Sequence, residues 1–438
     1  MTGIDSPPTE PRTAEPASSP ARVAVASLVG TTIEYYDFSV FAMAASLAFG
    51  PLFFPSGSAT AATLAAFATF AVAFVARPVG SLLFSVVGDR VGRRRSLLIC
   101  LLLMGGATIA IGLLPTYATA GVTASVLLIA CRVLQGLAVG GEWGGAVLLA
   151  AEHAPPHKRA LYASFPQIGP PLGFVLAALV FLTTTALTGP QGFLAWGWRV
   201  PFLLSVFMVV VGLWVRLKVS ESPVFHEAAK RQELVRAPLF VAFRTYPGRV
   251  LTGMLTVLGG MTTWYLITAF SVSYGTTALG IPSRTMILIA CATAATHGAL
   301  IIPAAHIVER YGRKVPMIAG QLGVALLAVP AFALLETAQP LLICLGFCLI
   351  MVPFTLVFGP IGVWLAELFP TQVRYVGAAT AFMVASMIAG FAPLIGTHLL
   401  ADGRPPLLLG LYAGGFALLG ALTLAFSPET RHRSLLQQ

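Results

Sequence analysis

Among the ionisable residues that stand inside apolar stretches of this chain, three are of types that suit the handling of protons and anions. Glu34 and Asp37 lie three positions apart in "GTTIEYYDF" (30–38), a spacing that puts both carboxylates on one face of a helix. Burial favours the neutral form of a carboxylic acid, and a second carboxylate close by favours it further, so such a pair can bind and release a proton near neutral pH. Arg132, in "CRVLQGLAVGGEWGGAVLLA" (131–150), carries a planar fork able to grip a carboxylate through two hydrogen bonds. The expected chemistry is proton carriage by Asp37, with Glu34 as the alternative carrier or its coupled partner, and capture of an anion by Arg132. If Asp37 and a substrate carboxylate compete for that fork, protonating Asp37 frees Arg132 for the substrate. The structural alternatives are a permanent Arg132–Asp37 brace and carboxylates that merely bridge neighbouring helices.

The surroundings decide what positions these groups. Of 438 residues, 57% are hydrophobic and 10% charged, far from the composition of a soluble domain. The apolar content falls into twelve runs, near 23–49, 61–87, 96–114, 122–150, 160–186, 198–216, 250–271, 285–306, 316–335, 340–366, 374–400 and 406–427. Most are long enough to cross a hydrocarbon layer of about 30 Å as a helix, and a closed barrel would need short alternating strands instead. The expected fold is therefore an all-α membrane protein, embedded in the lipid bilayer. Asp37 and Arg132 then fall at similar depth near the midplane, where a charge facing lipid is unfavourable by roughly 2.5–3.5 kcal/mol and a charge lining a cavity is tolerable.

Basic residues concentrate in alternate connections: Arg90 and Arg93 to Arg95, Lys158 and Arg159, the stretch from Lys218 to Arg249, and Arg310, Arg313 and Lys314. That asymmetry predicts a multi-pass protein of the cell (inner) membrane with both termini cytoplasmic. It also accounts for the net charge of +10 without a nucleic-acid partner. Residues 1–21, rich in Pro, Ser, Thr and Glu, read as a disordered tail. Cys100, Cys131, Cys291, Cys344 and Cys348 all lie in apolar runs without metal-site spacing, so neither disulfides nor a metal is expected. A nucleophile–base pair and a Walker A segment are missing from the sequence, which argues against an enzyme and against ATP as a driver or cofactor.

The chain repeats itself. "GDRVGRRRSL" (88–97) matches "VERYGRKVPM" (308–317) at an offset of 220, and "AEHAPPHKR" (151–159) matches "AELFPTQVR" (366–374) at an offset of 215. A duplicated six-span unit follows: 22–216 and 250–438 as two six-helix bundles around a midplane site, joined by a cytoplasmic linker at 217–249. The matched charges, Asp89, Arg90, Arg93, Glu152 and Arg159 with Glu309, Arg313, Glu367 and Arg374, read as a cytoplasmic gate. Its ion pairs would form when that side closes and part when it opens.

From about residue 22 to 430 the chain resembles the major facilitator superfamily, whose signature loop "GDRVGRRR" looks like. "IEYYDF", "ARPVGSLLFSVVGDR", "RVLQGLAVGGEWGGAVLLAAEHAP" and "WGWRVPFLL" resemble its metabolite:proton symporter family. Ser85 stands where that signature loop usually begins with Gly. The resemblance implies proton-coupled uptake of a small hydrophilic metabolite by alternating access, functional as a monomer. Substrates of that family include organic acids of the α-ketoglutarate, shikimate, citrate or aromatic-acid type and zwitterions such as proline and betaine. It also implies a coupling role for Arg132. A proton-driven exporter is the remaining alternative. The substrate-binding set read from the sequence is Arg132, Tyr36, Gln135, Arg77, Trp264 and Tyr265. For Arg77, Glu142 and His297, functional and structural readings both stay open.

Overall fold

The computed structural model describes residues 20–91, 93–140, 154, 158–218, 244–370 and 373–431. Eleven of its helices are long and apolar enough to cross a membrane: α1 Val23–Phe53, α2 Ala59–Phe84, α4 Val122–Gly140, α5 Arg159–Ala195, α6 Gly197–Val215, α7 Pro247–Thr277, α8 Ser283–Tyr311, α9 Lys314–Thr337, α10 Pro340–Leu368, α11 Val376–Leu399 and α12 Leu407–Phe426. A twelfth helix, α3, spans Arg93–Leu113 and is apolar over Leu98–Leu113. Every expected run is thus helical over its described residues, and the described residues contain no strand. Residues 1–19 of the expected tail and 219–243 of the expected linker lie outside the described residues, and Pro20 and Ala21 begin the first helix rather than a tail.

Two of the helices share a backbone irregularity. Both α1 and α7 carry a π-helical turn, at Ala45–Phe49 and Leu266–Phe270, offset by 221 positions. Such turns leave the regular hydrogen-bond ladder and free backbone carbonyls for other partners. Here the two turns meet across the halves, where Ser46 Oγ donates to the Ala269 carbonyl at 2.9 Å.

Close helix approach depends on residues without side chains. A Cβ added at Gly136 or Gly140 of α4 would sit 2.2 Å from the Ala73 carbonyl oxygen or 2.1 Å from that of Arg77, both in α2. The Gly-xxx-Gly ridge is therefore a backbone contact. Its consequence is positional, because it brings Arg77 of α2 beside Arg132 of α4. Pro78 lies within the same part of α2.

Candidate substrate and proton site

Four helices of the first half converge on Asp37. It is 2% exposed, and Ser205 of α6 donates to its Oδ1 at 2.6 Å, with Thr108 of α3 in hydrogen-bonding reach. Thr108 Oγ in turn accepts from Gln135 Nε2 at 2.7 Å, and Gln135 Oε1 accepts from Arg132 Nη1 at 3.1 Å. Asp37 and Arg132 are therefore joined through two intervening side chains, whereas the sequence suggested that they could share one fork directly. Glu34, also buried, lies within electrostatic range of Asp37 and of Tyr265.

Arg132 is 1% exposed, and among the described residues it has no carboxylate within ion-pair distance. Its Nη2 reaches the Phe70 carbonyl at 3.4 Å, and its Cζ lies 3.9 Å from the Phe41 ring centre. Cation–π contact offsets part of the desolvation of such a group. Nε has no hydrogen-bond partner among the described residues, and the same is true of Arg77 Nε. Arg77 sits over Phe74 at 4.3 Å and lies beside Tyr265, within its electrostatic range. Two buried cations with unused donors, in range of each other, are unfavourable unless an anion joins them. Together with Phe38, Gln135 and Gly136 they line a cavity with room for about one water molecule.

A second, larger cavity lies between the halves. Tyr35, Gln167 and Pro170 face it from the first half, and Trp264, Tyr265, His297 and Phe354 from the second, with Phe358 and Phe382 completing the wall. Phe38 and Tyr265, with ring centres 5.7 Å apart, stand between the two chambers. Trp264 and Tyr265 are thus lining residues. Tyr36 lines neither chamber: it is fully buried, with its hydroxyl donating to the Pro201 carbonyl at 3.0 Å. Its neighbour Tyr35 faces the cavity instead.

The basic end of the second half is held by charge. The Arg313 guanidinium takes Glu367 in a fork, Nη2–Oε1 at 3.0 Å and Nε–Oε2 at 3.3 Å, and pairs more loosely with Glu309 at 3.5 Å. Glu309 also accepts the backbone N–H of Ala160 at the start of α5, a contact across the halves, and Arg159 is in electrostatic range of Glu367. Arg374 Nε donates to the Ala366 carbonyl at 2.9 Å. Glu152 and the side chains of Asp89, Arg90 and Arg93 lie outside the described residues, as does Glu142. Both ends of the interface are therefore joined, by Glu309–Ala160 at one and Ser46–Ala269 at the other.

Two residues of this network escaped the sequence reading. Thr430 Oγ donates to Glu367 Oε2 at 2.7 Å. Glu429 accepts backbone N–H groups of Arg313, Lys314, Thr430 and Arg431. Burial alone would raise the Glu429 carboxyl, but these four donors together hold it below its ordinary value. The signal was present as an acid directly after the last apolar run, in "SPETR" (427–431). Ser205 and Thr108 gave no signal, since isolated hydroxyls in apolar runs usually satisfy their own helix.

The sequence profile described as sugar (and other) transporter matches residues 23–244 and again 235–438. The chain belongs to that family, within the major facilitator superfamily. Relatives of this transporter include the inner membrane metabolite transport protein YhjE of Escherichia coli K12, 43% identical over 96% of this chain and 97% of that protein. They also include the shikimate transporter of the same organism, 37% identical over 86% and 87%, and a proline/betaine transporter of Salmonella typhimurium, 32% identical over 94% and 84%. Among solved structures, a D-xylose-proton symporter superposes with a TM-score of 0.74 at 22% identity, covering 95% of this chain and 100% of the other, which shows a shared fold. The chain is a multi-pass membrane transporter of metabolites and not an enzyme.

Proposed function

We propose that this transporter is a proton-coupled symporter of a small organic acid, of the α-ketoglutarate, shikimate, citrate or aromatic-acid type, working by alternating access in the inner membrane with both termini cytoplasmic. The observation that carries the reading is Arg132: a fully buried cation whose Nε is unused and which has no carboxylate partner among the described residues, on the wall of a small cavity. An acid is the ligand that completes it. Coupling then runs along the chain Arg132–Gln135–Thr108–Asp37. A substrate carboxylate drawing on Arg132 changes what Gln135 and Thr108 offer Asp37, so substrate binding and protonation of Asp37 favour one another. Glu34, close to Tyr265, acts as the coupled second carboxylate. Glu309, Arg313, Glu367, Arg374 and Arg159, with Asp89, Arg90, Arg93 and Glu152, form the cytoplasmic gate, and the bundles are 22–216 and 250–438.

A second reading, a zwitterion of the proline or betaine type, draws on the aromatic walls of the larger cavity, since stacked rings also suit a cationic group. The discriminating experiment is uptake of labelled compounds into proteoliposomes, with and without an imposed pH gradient, over organic acids, proline and betaine. Gradient-driven accumulation of an acid supports the first reading. Accumulation restricted to the zwitterions removes it.

A further inference from the structure

His297 stands at the middle of α8, 3% exposed, against the larger cavity. Its ring sits edge-on between Trp264, with centres 5.7 Å apart, and Phe354, at 4.8 Å. The hydrogen bonds around it determine where its proton is. Thr355 Oγ lies 2.6 Å from the Met351 carbonyl and 2.9 Å from His297 Nδ1. A hydroxyl has one proton, and at 2.6 Å from a carbonyl that proton must be given to Met351. Thr355 Oγ can then only accept from the imidazole, so Nδ1 carries the hydrogen. In the neutral ring Nε2 is left as a lone pair, and it makes no hydrogen bond to a described residue.

We infer that His297 Nε2 is a specificity-determining acceptor for an O–H or N–H donor of the substrate, so that the acid transported is hydroxylated (or carries an N–H) and lies with its carboxylate toward Arg132 in the first half and its donor on His297 in the second. This rests on the carboxylate reading above and narrows it. A compact ring between the two polar ends requires the Phe38 and Tyr265 rings, 5.7 Å apart between the chambers, to separate, and the aromatic walls cannot replace the missing donor of an unhydroxylated analogue, which would leave Nε2 buried and unpaired. A quaternary ammonium group has no donor to offer. Because the two polar ends belong to different halves, a substrate spanning them ties the bundles together in the occluded state.

The test uses thermal stabilisation of the purified full-length protein by three probes: shikimate, cyclohex-1-ene-1-carboxylate, which keeps ring and carboxylate without hydroxyls, and glycine betaine. Wild type should bind shikimate about tenfold more tightly than the cyclohexene acid, the worth of one buried hydrogen bond, and betaine more weakly than shikimate. His297→Phe keeps a ring between Trp264 and Phe354 and leaves Thr355 bonded to Met351, so the protein should fold while the tenfold preference disappears. Thr355→Val keeps the imidazole but removes the acceptor that fixes its proton, and should shrink the preference about threefold. A structural role for His297 would weaken both acids equally. Equal binding of the two acids by wild type, an undiminished preference in His297→Phe, or no response to either acid overturns the inference. A wild type that binds shikimate and its neutral amide alike overturns the carboxylate reading instead.

Discussion

Gln135→Glu is the substitution whose effect the geometry prescribes most closely. The two side chains have the same shape, so the variant should fold, and its carboxylate would keep an oxygen, now charged, 3.1 Å from Arg132 Nη1. At a charge separation of about 4 Å and an effective dielectric near 20, the attraction is about 4 kcal/mol. A substrate carboxylate must displace that partner, and each 1.4 kcal/mol is tenfold in affinity. Desolvation of the new carboxylate offsets part of the gain, so the expected loss for an organic acid lies between about tenfold and about a thousandfold. The new oxygen replaces Nε2, 2.7 Å from Thr108 Oγ, and Thr108 donates to it by giving up the Met104 carbonyl, which it holds at 2.9 Å. Binding and uptake per folded molecule, measured for an acid and its neutral amide, give the readout. Loss confined to the acid is expected. An acid affinity equal to wild type would refute the placement of substrate on Arg132.

Asp37→Asn fills the same space without a titratable proton, so accumulation driven by a pH gradient should vanish while substrate exchange persists; normal pH-dependent accumulation by the variant would remove Asp37 from coupling. Glu429 caps the first turn of α9 through the Arg313 and Lys314 N–H groups, and Glu429→Gln should destabilise by about 1 kcal/mol, as for a lost helix cap. Because the Glu429 carboxyl is held below its ordinary value, that contribution is complete above the ordinary carboxylate range and is lost as pH falls through the lowered value. Thermal unfolding of both proteins across acidic pH checks this, and a stability gap that widens on acidification would contradict it. Reporter fusions at residues 55, 118 and 278 should lie opposite the two termini, and a cytoplasmic signal from any of them would contradict the twelve-span topology.

The fold was legible because its determinants are one-dimensional. Span length needs no neighbours to be read, and an all-helical membrane fold follows from it. The buried charges stood out for the same reason, since a carboxylate or guanidinium in an apolar run is visible alone. What escaped was partnership. Helical spacing cannot tell Tyr35 from Tyr36, which differ by the rotation that sends one into the cavity and ties the other to Pro201. Nor can it show that Thr108 and Gln135 stand between Arg132 and Asp37, because those contacts join α1, α3 and α4 across the bundle. For His297 the sequence offered a lone imidazole, and only Thr355 in α10, 58 positions away, sets its tautomer.

The central claim, that Arg132 grips a substrate carboxylate, is tested most directly by comparing wild type with Arg132→Lys for transport of an organic acid and of its neutral amide, per folded molecule and under an imposed pH gradient. Lysine keeps the positive charge and loses the fork, so the account predicts that wild type favours the acid. It also predicts that the lysine variant loses about ten- to a hundredfold in affinity for the acid alone, the range of a charged hydrogen bond. A wild type that treats acid and amide alike, or a lysine variant that matches wild type on the acid, would contradict it.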